Sequence, residues 1–495
     1  METSAIKIHP LDNVAVALQD LDAGATVSCD GETITLRDAV PFGHKIALKV
    51  FDAGDDVFKY GYPIGHASAP IAKGAWVHTQ NLRTSLSDIE DYVYRPTCAS
   101  LPARDDLRFD GYVRPDGRVG TRNEIWIVPT VGCVNSTATR IAQEARRRFS
   151  GRTDGIHAYV HNMGCSQLGE DQERTQRLLA GLIKNPNAGG VLVLSLGCEN
   201  NNLDVFKPVL GAIDPQRVKF LVTQEVENED EAALALVEEL IVYAEKFKRS
   251  AVPASRLTVG FKCGGSDAFS GITANALCGR VNDILCGCGA ATMLTEVPEM
   301  FGAETILMNR CVSESVFKDT VRLINGFKRY YERYGQVIYE NPSPGNKKGG
   351  ISTLEEKSLG CIQKGGSAPV VGVLDYGGVP AEGGLHLLIG PGNDAISSTG
   401  LVASGATMVL FTTGRGNPFG TPVPTVKIAS NNRLAQHKRA WIDFSAGDIL
   451  EGKSFDEVAA AFCDYLMDVA SGRIRTKNEI NDYRDISIFR DGVIL

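Results

Sequence analysis

The stretch at residues 191–198, Val-Leu-Val-Leu-Ser-Leu-Gly-Cys, is an apolar run of strand length that ends in a glycine and a cysteine. Residues 124–133 and 156–165 end in the same Gly-Cys pair, and residues 257–263 form a fourth apolar run that ends in a cysteine. Short apolar runs bounded by glycine are typical of buried strands. The four runs therefore predict strands, and their last residues predict the carboxyl edge of a sheet.

Amphipathic segments separate these runs. Apolar residues recur at helical spacing in 229–248, and we predict helices at 136–149, 169–184, 229–248, 312–334 and 455–471. Strands that alternate with helices favour an α/β fold with mainly parallel, Rossmann-like sheets. In such sheets ligands bind outside the carboxyl ends of the strands. The residues that follow the strands are therefore the first place to look for a site.

The first part of the chain has a different pattern. Residues 1–84 contain short β segments separated by turn sequences such as Asp-Ala-Gly at 22–24 and 52–54, which predicts a small β-rich domain. Residues 85–108 are polar and contain two prolines, so we expect a linker. We assign 109–250 to a second, α/β domain and 251–495 to a third, also α/β.

Composition excludes several classes of protein. The chain has 495 residues, enough for two or three domains, and a formal net charge of −8, which argues against a nucleic-acid or membrane-surface partner. No apolar run approaches the ~18 residues of a membrane span. The N-terminal residues lack a basic segment followed by an apolar stretch, so we expect no secretory signal. Twelve cysteines without such a signal favour reduced thiols and a cytoplasmic location.

Four cysteines follow the predicted strands: Cys133, Cys165, Cys198 and Cys263. Turns at one sheet edge could bring their sulfurs together, and soft thiolates suit iron or zinc. The alternative is that each cysteine packs as a small apolar residue. The sequence contains no Cys-x-x-Cys pair, so both interpretations stay open.

Acidic and hydroxyl side chains occur at the same predicted edge. Ser266 and Asp267 follow Cys263, and Glu296 and Glu299 lie within Thr-Glu-Val-Pro-Glu at 295–299. A carboxylate there could act as a general base or bind a cation. Alternatively, Ser266 or Asp267 caps a helix, and Glu299 is a surface charge.

Basic residues suggest where an anionic ligand would bind. His44 and Lys45 follow Gly43 in the β-rich domain; they could cover a site on the larger domain, with Lys45 pairing with a carboxylate, or they could simply be solvated. Arg415 lies between two glycines at 412–416 and could hold a carboxylate in bidentate fashion. The Gly-rich loops at 341–350 and 412–416 match neither a P-loop nor a dinucleotide fingerprint, and no Gly-x-Ser-x-Gly or His-Glu-x-x-His motif appears.

These segments resemble the altronate/galactarate dehydratase family. Gly-His-Lys at 43–45 and Lys-Tyr-Gly at 59–61 are similar to its SAF-type domain, and Gly-Thr-Arg-Asn at 120–123 with Gly-Cys-Glu-Asn at 197–200 to its second domain. Cys-Gly-Gly-Ser-Asp at 263–267, Asn-Pro-Ser-Pro-Gly-Asn at 341–346 and Thr-Thr-Gly-Arg-Gly at 412–416 resemble its C-terminal domain. Leu-Gly-Cys-Ile-Gln-Lys at 359–364 is closer to the altronate-type branch. A sulfolactate sulfo-lyase branch divides the domains between two chains, and the fused chain weighs against it.

The resemblance implies a hydro-lyase that converts D-altronate into 2-dehydro-3-deoxy-D-gluconate in hexuronate breakdown, with iron(II) as cofactor and manganese(II) as a substitute. The elimination removes the C2 proton and expels the C3 hydroxyl, so it needs an acid, a base and a Lewis acid. Candidate catalytic residues are His44, Lys45, His161, Glu296 and Arg415. Candidate substrate-binding residues are Arg122, Asn123, Ser266, Asp267, Asn346, Lys347, Thr413 and Arg415. Candidate iron ligands are Cys133, Cys165, Cys198 and Cys263.

Two other functions stay open. The substrate could be galactarate or another sugar acid, since the polyol end is distinguished by hydrogen bonds. The chain could also be a non-catalytic sugar-acid-binding protein, which would need neither a metal nor a base. For a soluble enzyme, a homodimer is the expected assembly.

Overall fold

Short antiparallel strands build the N-terminal domain in the computed structural model, which describes residues 4–86 and 89–492. The strands are β1 (Ala5–Ile6), β2 (Val14–Ala17), β3 (Thr26–Cys29), β4 (Glu32–Thr35), β5 (Lys45–Ala47), β6 (Asp56–Lys59), β7 (Tyr62–Ala67), β8 (Trp76–Val77) and β9 (Leu82–Arg83). They pair in the orders β1-β2-β5-β8, β3-β4 and β6-β7-β9. Asp30 and Gly31, both at positive φ, make the tight turn between β3 and β4. The β-rich N-terminal domain is confirmed.

A parallel sheet organises the second region. Its elements are β10 (Arg108–Val113), β11 (Val119–Gly120), β12 (Glu124–Pro129), α1 (Asn135–Arg148), β13 (Ile156–Ala158), α2 (Gly169–Lys184), β14 (Ala188–Ser195), α3 (Leu203–Leu210), β15 (Val218–Val222), α4 (Glu229–Ala244) and β16 (Arg249–Pro253). The parallel order is β13-β12-β14-β15, while β11, β10 and β16 form a separate antiparallel sheet. Successive side chains of β14 alternate between two cores, Val191 and Val193 with α2, and Leu192 and Leu194 with α4.

The third region contains a seven-stranded sheet. Its elements are β17 (Thr258–Cys263), α5 (Ala274–Gly287), β18 (Ala291–Leu294), α6 (Glu304–Asn309), α7 (Glu314–Arg333), α8 (Pro344–Lys348), α9 (Leu354–Cys361), β19 (Val370–Leu374), β20 (Gly384–Leu388), α10 (Asp394–Ala403), β21 (Met408–Thr413), β22 (Thr425–Ala429), α11 (Asn432–His437), β23 (Phe444–Ser445), α12 (Phe455–Ala470) and α13 (Lys477–Ile480). All its pairings are parallel, in the order β19-β20-β18-β17-β21-β22-β23.

The strand order places a crevice at the end of β17. From β17 the chain passes to β18 and β20 on one side of the sheet, and later to β21 and β22 on the other. Ligands of open parallel sheets bind where the order reverses in this way. Lys262 and Cys263, the last residues of β17, therefore lie at the expected position of a site.

The α/β fold class is confirmed, and the predicted helices lie where the apolar periodicity placed them. The described residues between 89 and 107 form neither helix nor strand, but they pack on the third region, where the Tyr92 hydroxyl donates to Glu304. None of the described helices is both long and apolar enough to cross a membrane.

Candidate active site and metal centre

Three buried ligand-type side chains converge at the end of β17. Cys263 ends that strand, Glu299 lies in the short turn after β18, and Cys361 ends α9. The two sulfurs are 3.2 Å apart, and the Oε2 atom of Glu299 is 2.9 Å from the sulfur of Cys361 and 3.4 Å from that of Cys263. Within residues 4–86 and 89–492 this is the one group of three or more such ligand atoms that all lie within 4.8 Å of one another.

Buried lysines surround this group. Lys357 Nζ lies 2.9 Å from Glu299 Oε1, Lys364 Nζ lies 3.2 Å from Glu296 Oε2, and Lys262 is ion-paired with Glu296. Burial alone would raise the pKa of Glu299, but the charges of the three lysines hold it well below its ordinary value. Burial raises the pKa of Glu296 despite its lysine partners. The crevice thus holds one firmly ionised carboxylate and one that protonates more readily.

The donor set fits a divalent metal ion. Two thiolates and a carboxylate are ligands that iron(II) and zinc accept. If both thiols ionise, the sulfurs and the carboxylates of Glu296 and Glu299 carry four negative charges against three lysine charges. Buried charge must be compensated, and a divalent cation would supply the compensation that the lysines leave incomplete.

A second buried ion cluster joins the N-terminal domain to α9. Lys45 Nζ lies 2.8 Å and Lys59 Nζ 2.8 Å from the carboxylate of Glu356. Lys45 also donates to the carbonyl oxygen of Gly350 and to the Ser352 hydroxyl. These contacts favour a structural role for Lys45 over the predicted binding of a substrate carboxylate, because its ammonium is buried and engaged with the protein.

His44 lies beside this cluster. Its Nδ1 accepts a hydrogen bond from Trp76 Nε1 at 3.1 Å, and its Nε2 faces the carbonyl oxygen of Lys348 at 3.4 Å. Burial lowers the pKa of His44, so the ring is neutral near pH 7. Because both nitrogens have protein partners, these contacts favour docking of the N-terminal domain over the predicted role in proton transfer.

An open cleft lies between the N-terminal domain and the edge of the seven-stranded sheet. Its volume is about 420 Å³, and its lining includes Asp267, Lys348, Arg415 and Arg433. Arg415 is exposed, and its guanidinium makes no hydrogen bond or ion pair with any residue that the structure describes. A cleft with available cations suits an anionic ligand. The structure therefore keeps Arg415 as a candidate for carboxylate binding.

The other predicted residues near this cleft are mostly structural. Asp267 is buried and accepts hydrogen bonds from the side chains of Ser270, Ser430 and Asn431. Burial raises its pKa. Thr413 Oγ1 accepts from the Gly416 amide, which shapes the loop that carries Arg415.

Asn346 links the cleft to the buried metal-ligand group. Its Nδ2 donates to the Ser266 carbonyl oxygen at 2.8 Å, and its Oδ1 accepts from Lys357 Nζ at 3.2 Å. Lys347, next to it, is half-buried and has no side-chain partner among the described residues. Asn346 therefore connects the loop at 341–350 with Lys357, which is ion-paired with Glu299.

Arg122 and Asn123 lie apart from this group, and their contacts favour a structural role over the predicted role in substrate binding. They precede β12, at the amino end of its sheet. Arg122 forms a buried ion pair with Glu479 at 2.6 Å, and Asn123 accepts from Arg114 and donates to the Ala244 carbonyl oxygen. These residues connect the second region to the end of the chain.

The four predicted cysteine ligands do not form one site. Cys263 is buried, whereas Cys133, Cys165 and Cys198 are exposed, and no three of these sulfurs lie within 4.8 Å of one another in the described structure. His161, predicted to transfer protons, is buried; its Nε2 contacts the Pro129 carbonyl oxygen at 2.8 Å and its Nδ1 accepts from the Met163 amide. These contacts fix the loop before Cys165, and a role of His161 in proton transfer stays a prediction.

Sequence reasoning missed Cys361, Lys357 and Lys364. A signal was available, because Lys357 and Cys361 are four residues apart and therefore share one face of α9. Nothing local indicated that this face would meet the end of β17.

Models of three domains from one family match the chain in order. The altronate/galactarate dehydratase SAF domain matches residues 3–85, the D-galactarate dehydratase/altronate hydrolase second domain matches 111–245, and the D-galactarate/altronate dehydratase C-terminal domain matches 254–494.

Full-length relatives agree with these matches. Altronate dehydratase from Escherichia coli (strain K12) is 50% identical over 99% of this chain and 99% of its own length, and that from Bacillus subtilis (strain 168) is 51% identical over 99% and 100%. Galactarate dehydratase (L-threo-forming) from Escherichia coli (strain K12) is 34% identical over 95% and 93%. Domain order, coverage and identity together show that the chain belongs to the altronate/galactarate dehydratase family.

Proposed function

We propose that this protein is an altronate dehydratase that removes water from D-altronate to give 2-dehydro-3-deoxy-D-gluconate. The observation that carries the proposal is the identity of 50–51% to two altronate dehydratases over almost the whole chain, against 34% to a galactarate dehydratase. The cleft lined by Lys348, Arg415 and Arg433 agrees with an anionic substrate, and the separate buried group of Cys263, Glu299 and Cys361 agrees with a metal cofactor.

Residues of the open cleft and of the buried crevice at the end of β17 have different parts in the proposed elimination. Arg415, with Lys348 beside it, binds the substrate carboxylate. Glu296 is our candidate for proton transfer, because burial raises its pKa and makes its protonated form easier to reach. Lys262 and Lys364 flank Glu296 and stabilise its ionised form when the proton leaves.

Cys263, Glu299 and Cys361 would hold a divalent cation, for which we propose iron(II), with manganese(II) as a substitute. When bound, such an ion supplies Lewis acidity for charge that develops on substrate oxygen. A cytoplasmic location and a homodimer are further parts of this proposal.

Anaerobic turnover tests the function. The protein is incubated with D-altronate and iron(II), and the 2-keto-3-deoxy acid is assayed, with galactarate and other sugar acids in parallel. We expect turnover that a chelator abolishes and iron(II) restores. Product from galactarate but not from D-altronate would mean that the protein is a galactarate dehydratase. The absence of product from any sugar acid would favour a binding protein.

Metal content tests the ligand assignment separately from activity. Cys361→Ser and Glu299→Gln are compared with Cys98→Ser, in which an exposed thiol that donates to the Arg310 and Cys311 carbonyl oxygens is removed. We expect the first two variants to bind less iron per chain while Cys98→Ser equals the wild type. Equal iron in all four proteins would contradict the assignment.

A further inference from the structure

Three exposed thiols lie at the carboxyl edge of the smaller parallel sheet. Cys133, Cys165 and Cys198 each follow a glycine after β12, β13 and β14, which are neighbours in the order β13-β12-β14. Among the described residues only Cys98 is a further exposed cysteine. Cysteine is among the residue types most often fully buried, so three exposed thiols at one sheet edge need an explanation other than packing.

Direct hydrogen bonds hold the three loops together. The Gly132 amide donates to the Met163 carbonyl oxygen at 2.9 Å, which joins the first loop to the second. The Asn201 amide donates to the Gly164 carbonyl oxygen at 3.1 Å, which joins the third to the second. Asn201 Nδ2 donates to the Thr130 carbonyl oxygen at 3.0 Å, which joins the third to the first. Each loop is therefore bonded to both others.

The glycines before the cysteines are required for this approach. A Cβ atom at Gly132 would lie 2.9 Å from the His161 carbonyl oxygen, and one at Gly164 would lie 2.1 Å from the Thr130 carbonyl oxygen. Gly197 has a φ of +126°, and its Cβ would lie 2.7 Å from Gln224 Oε1. A side chain at Gly132 or Gly164 would push the first and second loops apart, and one at Gly197 would displace Gln224.

Buried polar groups fix the third loop. Glu199, next to Cys198, accepts hydrogen bonds from the Thr130 and Ser195 hydroxyls at 2.6 Å each and from the Gly197 amide at 2.6 Å. Gln224 Nε2 donates to the sulfur of Cys198 at 3.4 Å. An amide donor to sulfur stabilises a thiolate and tunes a metal cluster bound to it.

We propose that Cys133, Cys165 and Cys198 bind a [4Fe–4S] cluster through three of its irons, and that the fourth iron faces solvent without a protein thiolate. The three sulfurs are not mutually within 4.8 Å, which disfavours a single ion held by all three. A cluster of several irons holds its cysteines further apart, and cysteine thiolates are its usual ligands.

Iron and acid-labile sulfide analysis tests the cluster without any need for activity. The full chain is purified anaerobically, and we expect about four irons and four sulfides per chain at this site, with broad visible absorption that reductant bleaches. Cys133→Ser, Cys165→Ser and Cys198→Ser should each lose most of the sulfide. Cys98→Ser and Cys361→Ser, which alter an exposed thiol elsewhere and the buried group, should retain it.

The outcomes separate this proposal from the proposed function. A wild-type chain without sulfide, or equal sulfide in Cys165→Ser and Cys98→Ser, overturns the cluster even if altronate is dehydrated. A chain with sulfide that the three variants lose supports the cluster even if no sugar acid is turned over. Circular dichroism of each variant verifies folding, which we expect to be intact because the three side chains are exposed.

Discussion

The carboxyl edges of the two parallel sheets share one sequence signature and have opposite environments. At the edge of the seven-stranded sheet, Cys263 is buried among Glu299, Cys361 and lysines. At the edge of the four-stranded sheet, Cys133, Cys165 and Cys198 are exposed, and Glu199, next to Cys198, accepts hydrogen bonds from hydroxyl and amide donors.

The difference shows that a strand followed by cysteine indicates an edge but not a kind of site. At the larger sheet, α9 and the N-terminal domain cover the edge, so charges are buried and must be compensated by lysines. At the smaller sheet, glycines bring the loops together and leave the thiols accessible to solvent. Charge balance therefore organises one edge, and backbone contact the other.

Glu299→Gln should have the largest effect on stability. The substitution leaves Lys357 buried without its carboxylate partner, and we expect the free energy of unfolding to fall by about 3–5 kcal/mol. Urea unfolding followed by circular dichroism measures the change. If the urea midpoint of the variant equals that of the wild type, the ion pair between Lys357 and Glu299 does not stabilise this edge.

Acid should next weaken the contact between α9 and the N-terminal domain. Burial alone would raise the pKa of Glu356, but Lys45 and Lys59 outweigh it and lower the pKa to about 2. A carboxyl whose pKa is lowered on folding stabilises the fold above its ordinary pKa, here 4.5. That stabilisation, on the order of 3 kcal/mol, is lost as the pH falls from about 5 towards 2.

Urea midpoints between pH 7 and pH 3 measure this effect. His78, whose pKa burial lowers to about 3, also destabilises the fold in acid, so the comparison with Glu356→Gln isolates the carboxyl. The difference in urea midpoint between the wild type and Glu356→Gln should become smaller as the pH falls. If that difference stays constant, protonation of Glu356 is not the cause of the loss of stability in acid.

Local pattern was sufficient for the elements but not for their partners. Apolar periodicity placed the helix at 169–184 where α2 lies, and it placed Cys263 at the end of a strand, because both depend on neighbours in sequence. Cys361 was not predicted as a ligand because its partners, Cys263 and Glu299, come from β17 and from the turn after β18. The buried ion pair of Arg122 could not be predicted either, since Glu479 is distant in the chain and only the fold brings the two residues together.

Arg415→Ala should lower activity without lowering stability. If Arg415 binds the substrate carboxylate, the loss of charge-assisted hydrogen bonds should reduce kcat/KM for D-altronate by about 10- to 100-fold. The thermal midpoint should not change, because the side chain is exposed and forms no bond with the described residues. Arg439→Ala, which removes a nearby exposed cation that does not line the cleft, is the control. Equal kcat/KM in both variants would mean that Arg415 does not bind the substrate carboxylate.

Glu199→Gln should have the smallest effect, and it gives the matched contrast to Glu299→Gln. Glutamine keeps one oxygen for the Thr130 and Ser195 hydroxyls, but its amide group then faces the Gly197 amide, donor against donor. The cost should be about 1–2 kcal/mol, the loss of one hydrogen bond at a site without a buried cation. Urea midpoints of the two variants, measured side by side, test the ranking. If Glu199→Gln costs as much as Glu299→Gln, then the exposed edge also depends on a buried charge, and backbone contact alone does not hold its three loops together.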